Sequence, residues 1–166
     1  MSVTTFDVVC AGIIVADHLC VPIEHVPEAG ELVMTEGMTL EIGGCASNAA
    51  VDLAKMGVSC TVCGCLGSDV FGRFVVETLK ARRVDTTGIR VVNDADTSQT
   101  LIVNVVGQDR RFIHSFGANA RFSSSDIRAD LVAQAKVLYV GGYLLMPALE
   151  QESLAEVFRA AQKQGV

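Results

Sequence analysis

The sequence predicts an open α/β fold carrying a small β excursion, and three observations carry that expectation. Apolar runs of strand length alternate with amphipathic segments of helical period, in the order strand, helix, strand, helix, strand, helix. The runs FDVVCAGIIVA, VSCTVCGCLG and AKVLYVGGYLL are continuous rather than alternating, as in strands covered on both faces of a mostly parallel sheet. Between them, TSQTLIVNVVGQDRRFIHSF reads as two strands joined around Gly107-Gln108-Asp109, a hairpin outside that parallel order.

Length and composition bound the function. The 166 residues are 50% hydrophobic and 19% charged, which fits one compact domain with a sizeable core. With 13 basic against 19 acidic residues the net charge is -6, so attraction to a phosphate backbone cannot supply the main affinity and nucleic acid is not expected as a partner. No run approaches the ~20 apolar residues that span a bilayer, so no membrane partner is expected. The N-terminus MSVTTFDVV has no basic region and carries Asp7 inside its first apolar run. It does not read as a secretory leader, and a cytoplasmic location is the expectation.

The elements follow in order. FDVVCAGIIVA is a buried strand, followed directly by Asp17 and His18. From Pro22 to Ile42 two prolines and Gly30 and Gly37 interrupt any period, so short strands or loops of a flap are expected there. Ala46 to Met56 has Ala, Val, Leu and Met at helical spacing, and Gly57 stands where a left-handed C-terminal cap belongs. After the strand VSCTVCGCLG, SDVFGRFVVETLKARRV offers Ser68 and Asp69 as N-caps and Lys80, Arg82 and Arg83 at a helix C-terminus. The hairpin comes next and pairs with the flap. GANARFSSSDI suits a turn and a helix start, AKVLYVGGYLL is a further buried strand, and LEQESLAEVFRAAQKQG is an amphipathic helix capped by Gly165.

Six cysteines raise the question of a disulfide or metal framework. Cys10, Cys60, Cys63 and Cys65 lie within apolar runs, where cysteine acts as a small hydrophobe, and CTVCGC has no second pair at zinc-finger spacing. Buried, reduced thiols are expected.

In open α/β sheets ligands bind beyond the carboxyl ends of the strands, where helix N-termini present unpaired N–H groups. Gly43-Gly44-Cys45 stands at such a place. Two residues without Cβ let the main chain approach a ligand, Asn48 offers a donor and an acceptor suited to a polyol hydroxyl, and Asp17 adds a carboxylate. Spacing alone leaves a second reading open, in which the glycines only make a tight turn and Asn48 caps its own helix.

The run GGCASNAAVDLAKMG, followed by CTVCGCLGSDVFGRFVVETLKARRVDTTGI, closely resembles the N-terminal signature of ribokinase-like sugar kinases, the PfkB carbohydrate kinase family. The matching residues are Gly43-Gly44 with Asn48, Gly67-x-Asp69-x-x-Gly72, Val84-Asp85-Thr86 and Gly117-Ala118-Asn119-Ala120. AGIIVADH also resembles the family's first strand and its substrate-binding aspartate. The resemblance covers essentially the whole chain.

It implies a Rossmann-like three-layer α/β/α ribokinase-type fold with a small β-sheet lid, here segments of approximately 20–42 and 97–116. It also implies transfer of the ATP γ-phosphate to a hydroxymethyl group of a sugar or nucleoside, with Mg2+ in the complete enzyme. Separately, unpaired strands in the flap are a natural surface for edge pairing, so a homodimer through the lid is expected. By position, Asp17, Gly43, Gly44 and Asn48 would bind acceptor hydroxyls. Ribokinase-type members often have asparagine two positions before the aspartate and lysine after the diglycine. Here those positions are Val15 and Cys45, so the resemblance does not extend to ribose itself. Near Gly141-Gly142-Tyr143 the family places a further contact, which makes Tyr143 a candidate, although a strand ending in a flexible turn fits the same residues. His114 and Arg110-Arg111 could reach an anionic substrate or be plain solvated charge on a flap.

No Gly-Lys dipeptide occurs, which excludes a Walker A loop. The family's Gly-Ala-Gly-Asp anion hole with its catalytic aspartate, and its Asn-x-x-Glu motif, are absent from this sequence; no catalytic residue is expected within it, and these are expected beyond Val166. Residues 1–166 are thus expected to be the N-terminal part of one kinase domain, truncated on the C-terminal side. The alternative is a non-catalytic sugar-binding or dimerisation module derived from such a kinase.

Overall fold

A computed structural model describes residues 6–166. The leader reading rests in part on residues 1–5, which lie outside the described residues. The core is a four-stranded parallel sheet of β1 (Val8–Gly12), β4 (Cys60–Gly67), β5 (Ile89–Val92) and β8 (Val137–Gly141), in the order β5-β4-β1-β8. Every residue of β1 and β4 is buried, the consequence of the continuous apolar runs.

Side-chain alternation divides the core into two layers. Val9, Ala11, Cys63 and Cys65 pack with Leu154 and Ala161 of α4 (Gln151–Lys163) and with Leu131 and Val132 of the short α3 (Ala129–Val132). Val8, Cys10, Cys60 and Val62 pack on the other face with Ala46, Ala50 and Val51 of α1 (Cys45–Lys55) and with Val75 and Leu79 of α2 (Val70–Ala81). The three-layer α/β/α order follows. The same alternation puts Cys60 and Cys63 on opposite faces of one strand, so CTVCGC cannot chelate as a C-x-x-C pair. All six cysteines are free, and burial pushes the thiols of Cys10 and Cys65 up to about 12. Among the described residues no group of three or more His, Cys, Asp or Glu side chains could hold a metal ion, and no helix is long and apolar enough to cross a membrane.

The second sheet is the β excursion. Strands β2 (Val15–Cys20), β3 (Met38–Gly43), β6 (Gln99–Val103) and β7 (Arg111–Ser115) run in the order β3-β2-β6-β7, with β2 and β6 parallel and the outer pairs antiparallel. Two expectations change here. FDVVCAGIIVA is two strands in two sheets, because the chain turns at Gly12, whose φ of 133° suits only glycine and where a Cβ would meet the Gly141 carbonyl. The lid sheet therefore begins at Val15 rather than near residue 20, and Asp17 lies inside a lid strand. Strand β5 has only four residues after the Thr86-Thr87-Gly88 turn, too short a run to stand out by period.

Three of the quoted motifs prove to be joints. Asp69 caps α2 by accepting from Gly72 N at 2.8 Å, and it also accepts from Thr97 N and Thr97 Oγ1, both at 2.7 Å, which ties α2 to the start of β6. Asp85 accepts from the Thr61 and Thr87 hydroxyls and from Thr87 N, fixing the entry to β5. Asn119, 1% exposed, holds the backbone of Ile14 where the chain crosses from one sheet to the other.

Candidate functional site

The lid sheet and the N-terminus of α1 border an open cavity of about 410 Å³ beyond the carboxyl ends of β1 and β8. From β2 come Val15 and Asp17; from α1 and its cap, Gly44, Cys45 and Asn48; from β6, Thr100 and Ile102; from β7, Phe112 and His114; Ile13 and Leu145 close it. The cavity is largely apolar, with a few polar groups placed to orient a ligand, the usual character of a small-molecule site.

The diglycine has two separate tasks. Gly43 is buried, and a Cβ there would collide with the Asp17 carboxylate, so its absence makes room for that group. Gly44 is the N-cap of α1 at φ 97° and ψ 145°, with no side-chain cap bond, and a Cβ there would run into the Ile13 backbone. Ser47, fully buried, donates to the carbonyl oxygens of Gly43 and Gly44 and locks the turn from behind. In the first turn of α1 the Ala46 N–H donates to the Ile13 carbonyl at 3.2 Å and the Asn48 N–H to the Gly44 carbonyl, and with no side-chain cap the positive end of the helix dipole borders the cavity.

Asn48 is exposed and lies at the fourth helical position; its backbone N–H donates to the Gly44 carbonyl, its side chain makes no hydrogen bond among the described residues, and the helix cap is Gly44, so the capping alternative for Asn48 does not hold. Its amide is left to offer both donor and acceptor to the cavity. Asp17 faces it from β2. Burial raises the Asp17 carboxyl above its ordinary value, against the opposing pull of the Thr100 hydroxyl and of the His114 and His18 imidazoles.

The structure thus brings Asp17, Gly44 and Asn48 around one cavity, with Gly43 behind Asp17. Tyr143 is not among them. It opens the short 3-10 turn Tyr143–Leu145 and packs against the core of β1 and β4, because the left-handed Gly142 redirects the chain and leaves Leu145 at the cavity. Thr100, Ile102, Phe112 and Leu145 were not identified from sequence. The two-residue period of TLI and FIH carried the signal for the lid residues, since it places Thr100 with Ile102 and Phe112 with His114 on one face.

A three-layer α/β/α core whose sheet ends open under a β lid defines a fold of the ribokinase type. Residues 5–166 match the pfkB family carbohydrate kinases, and the chain belongs to that family. It is 29% identical to the ribokinase of Mus musculus over 142 residues, 84% of this chain and 43% of the relative. Identity to fructokinase-2 of Oryza sativa subsp. japonica is 25% over 148 residues, 87% of this chain and 44% of the relative. Among solved structures, ribokinase from Giardia lamblia superposes with a TM-score of 0.81 at 19% identity, covering 97% of this chain and 52% of that one. Arabidopsis thaliana ribokinase, complexed with ribose and ATP, gives 0.78 at 24%, covering 97% and 51%. The chain spans about half the length of the relatives it matches.

Proposed function

We propose that residues 1–166 form the acceptor-binding half of an ATP-dependent sugar or nucleoside kinase, which transfers the γ-phosphoryl group to a hydroxymethyl group of its acceptor. The observation that carries this reading is the convergence of Asp17, Asn48 and the uncapped α1 N-terminus on one cavity under the lid. Asp17 accepts two acceptor hydroxyls, Asn48 donates to and accepts from others, and the apolar lid residues Ile102 and Phe112 exclude water from the bound face. Orientation of the hydroxymethyl group is this half's contribution to catalysis. ATP, its Mg2+, the anion hole and the catalytic carboxylate are assigned to sequence outside residues 1–166, which agrees with a chain about half as long as its relatives. The cytoplasm is the compartment proposed.

A homodimer through the lid is proposed with it. Met38, Leu101 and Ile113, on the lid face turned away from the cavity, are 69%, 40% and 67% exposed, and β3 and β7 are edge strands. Exposed apolar area on an unprotected sheet edge favours association. Sedimentation should give a dimer, and Ile113→Glu a monomer.

The test of function measures ATP consumption across pentoses, hexoses, keto-sugar acids and nucleosides, alongside direct binding of each. Residues 1–166 alone should bind an acceptor and consume no ATP. Acceptor-dependent turnover by this chain alone would show that the catalytic groups lie within it; no binding by any member would remove the acceptor-site reading.

A further inference from the structure

Asp96-Thr97-Ser98 carries the chain from the core into β6, and the neighbouring elements are tied to it by hydrogen bonds. Thr97 donates from N and from Oγ1 to the Asp69 carboxylate, both at 2.7 Å, and its Oγ1 accepts from Gly67 N, at the end of β4, at 3.0 Å. Ser98 accepts from Ala16 N of β2 at 2.9 Å, and its hydroxyl donates to the Ser115 carbonyl of β7 at 2.9 Å. Asp96 accepts from Ala118 N at 2.7 Å. Thr97 and Ser98 are fully buried, and a Cβ at Gly67, Gly72 or Gly117 would collide with this segment.

Such a junction answers a problem of register. The turn of a hairpin fixes how its two strands pair, and β6 and β7 form a hairpin. Strands β2 and β6 are parallel, with β3, α1, β4, α2 and β5 between them in the chain, so no turn sets their pairing. A slip of one residue would take Thr100 and Ile102 off the cavity face and put Gln99 and Leu101 there, and the hairpin would carry Phe112 and His114 along. Thr97 stands three residues before Thr100, about 10 Å of strand, so holding it leaves the hairpin little freedom to slip. Asp69 supplies the carboxylate among these ties, and hydrogen bonds to a charged acceptor are about twice as strong as neutral ones. Asp69 is itself held, by Gly72 N at 2.8 Å, at the start of a helix anchored in the core by Val75 and Leu79.

We propose that Asp69 is a positioning residue for the cavity: by holding Thr97 it sets the register of the β6–β7 hairpin on β2, and so places Thr100, Ile102, Phe112 and His114. The inference rests on the acceptor-site reading above. Asp69 does not line the cavity, so its effect on a ligand passes through the strands. The two parallel strands at the centre of the lid then start from polar side chains of the core, β2 from Asn119 through Ile14 and β6 from Asp69 through Thr97.

Calorimetric titration of residues 1–166 with D-ribose, D-fructose and adenosine, on variants first shown by circular dichroism to be folded, tests this. Asp69→Ala and Thr97→Val should each weaken the tightest binder about tenfold. Thr97→Ser, which keeps the hydroxyl, should bind within about twofold of the unaltered chain. Both removals break one clamp, so the double variant should bind no more weakly than Asp69→Ala alone. Amide hydrogen exchange should quicken in β6 and β7 of Asp69→Ala while β1 and β4 keep their protection. A residue that only stabilises the fold would leave the affinity of folded protein unchanged and would quicken exchange in β4 as much as in β6; either result overturns the assignment. Should Asp69→Ala not fold, the Thr97 pair decides, and equal affinities in Thr97→Val and Thr97→Ser overturn it. Unchanged affinity in Asp69→Ala removes the positioning role and keeps the acceptor site, whereas failure of the unaltered chain to bind any compound removes both.

Discussion

The side chain of Asn119 hydrogen-bonds both backbone groups of Ile14, accepting from its N–H at 3.2 Å and donating to its C=O at 2.9 Å. Ile14 is fully buried between the end of β1 and the start of β2, where the backbone has left one sheet and not yet entered the other. Asn119 acts there as a one-residue strand partner. Asn119→Ala leaves a buried donor and a buried acceptor unpaired, and about 2–4 kcal/mol of stability should be lost. Urea unfolding measures it. Because Ile14 precedes Val15 and Asp17 by one and three residues, acceptor affinity should fall as well.

Asp69 predicts a pH dependence. Burial raises its carboxyl, but the bonds from Gly72 N, Thr97 N and Thr97 Oγ1 outweigh that, and the net shift is downward. A folded-state value below the unfolded one gives stability that is complete above the ordinary carboxyl range and is lost as the pH falls through the folded value. Asp69→Asn should therefore be less stable by about 2 kcal/mol at pH 7. The difference from the unaltered chain should close only below about pH 4. A gap that stayed constant down to pH 2 would contradict the assigned role.

The two glycines should respond differently to alanine. Gly43→Ala pushes its Cβ at the end of the Asp17 side chain, so the carboxylate moves while the backbone keeps its conformation: affinity falls and the unfolding midpoint changes little. Gly44→Ala forces a left-handed residue against the Ile13 backbone and should cost about 1–3 kcal/mol of stability. Denaturation and acceptor titration of both variants separate the two effects.

Thiol accessibility follows burial. Cys45 is exposed at the cavity, Cys20 is half-buried, and Cys10, Cys60, Cys63 and Cys65 are buried, with raised thiol values. Mass spectrometry after brief alkylation of the folded chain should find Cys45 modified first and those four only after unfolding.

Much of this was legible in the sequence, and the rest was hidden for physical reasons. Unbroken apolar runs exposed the parallel core, and Gly57 and Gly165 marked helix ends through their left-handed conformations. The break at Gly12 was hidden, because a chain passing from one buried strand to another stays apolar throughout. At the site, Asp17, Gly44 and Asn48 were visible as polar or small residues next to strand ends. Tyr143 does not line the cavity, because a sequence shows that a turn follows Gly142 and not which of the next three side chains it turns that way. His114 was visible as a charged-strand candidate and the local period placed Thr100 with Ile102 and Phe112 with His114, but that Thr100 stands opposite both Asp17 and His114 depends on the register of β2, β6 and β7, a pairing of residues far apart in the chain.

Protection of Cys45 from alkylation by acceptor tests the central claim most directly, since its thiol lines the cavity between Gly44 and Asn48. At least one uncharged sugar or nucleoside should slow alkylation saturably. Asp17→Ala should shift the half-protecting concentration upward by about 10–100-fold, the loss of a hydrogen bond to a charged group, while alkylation without ligand proceeds at its original rate. Alkylation of Cys45 at one rate with every compound in the panel, or protection that survives intact in Asp17→Ala, would contradict the assignment of this cavity as the acceptor site of a kinase.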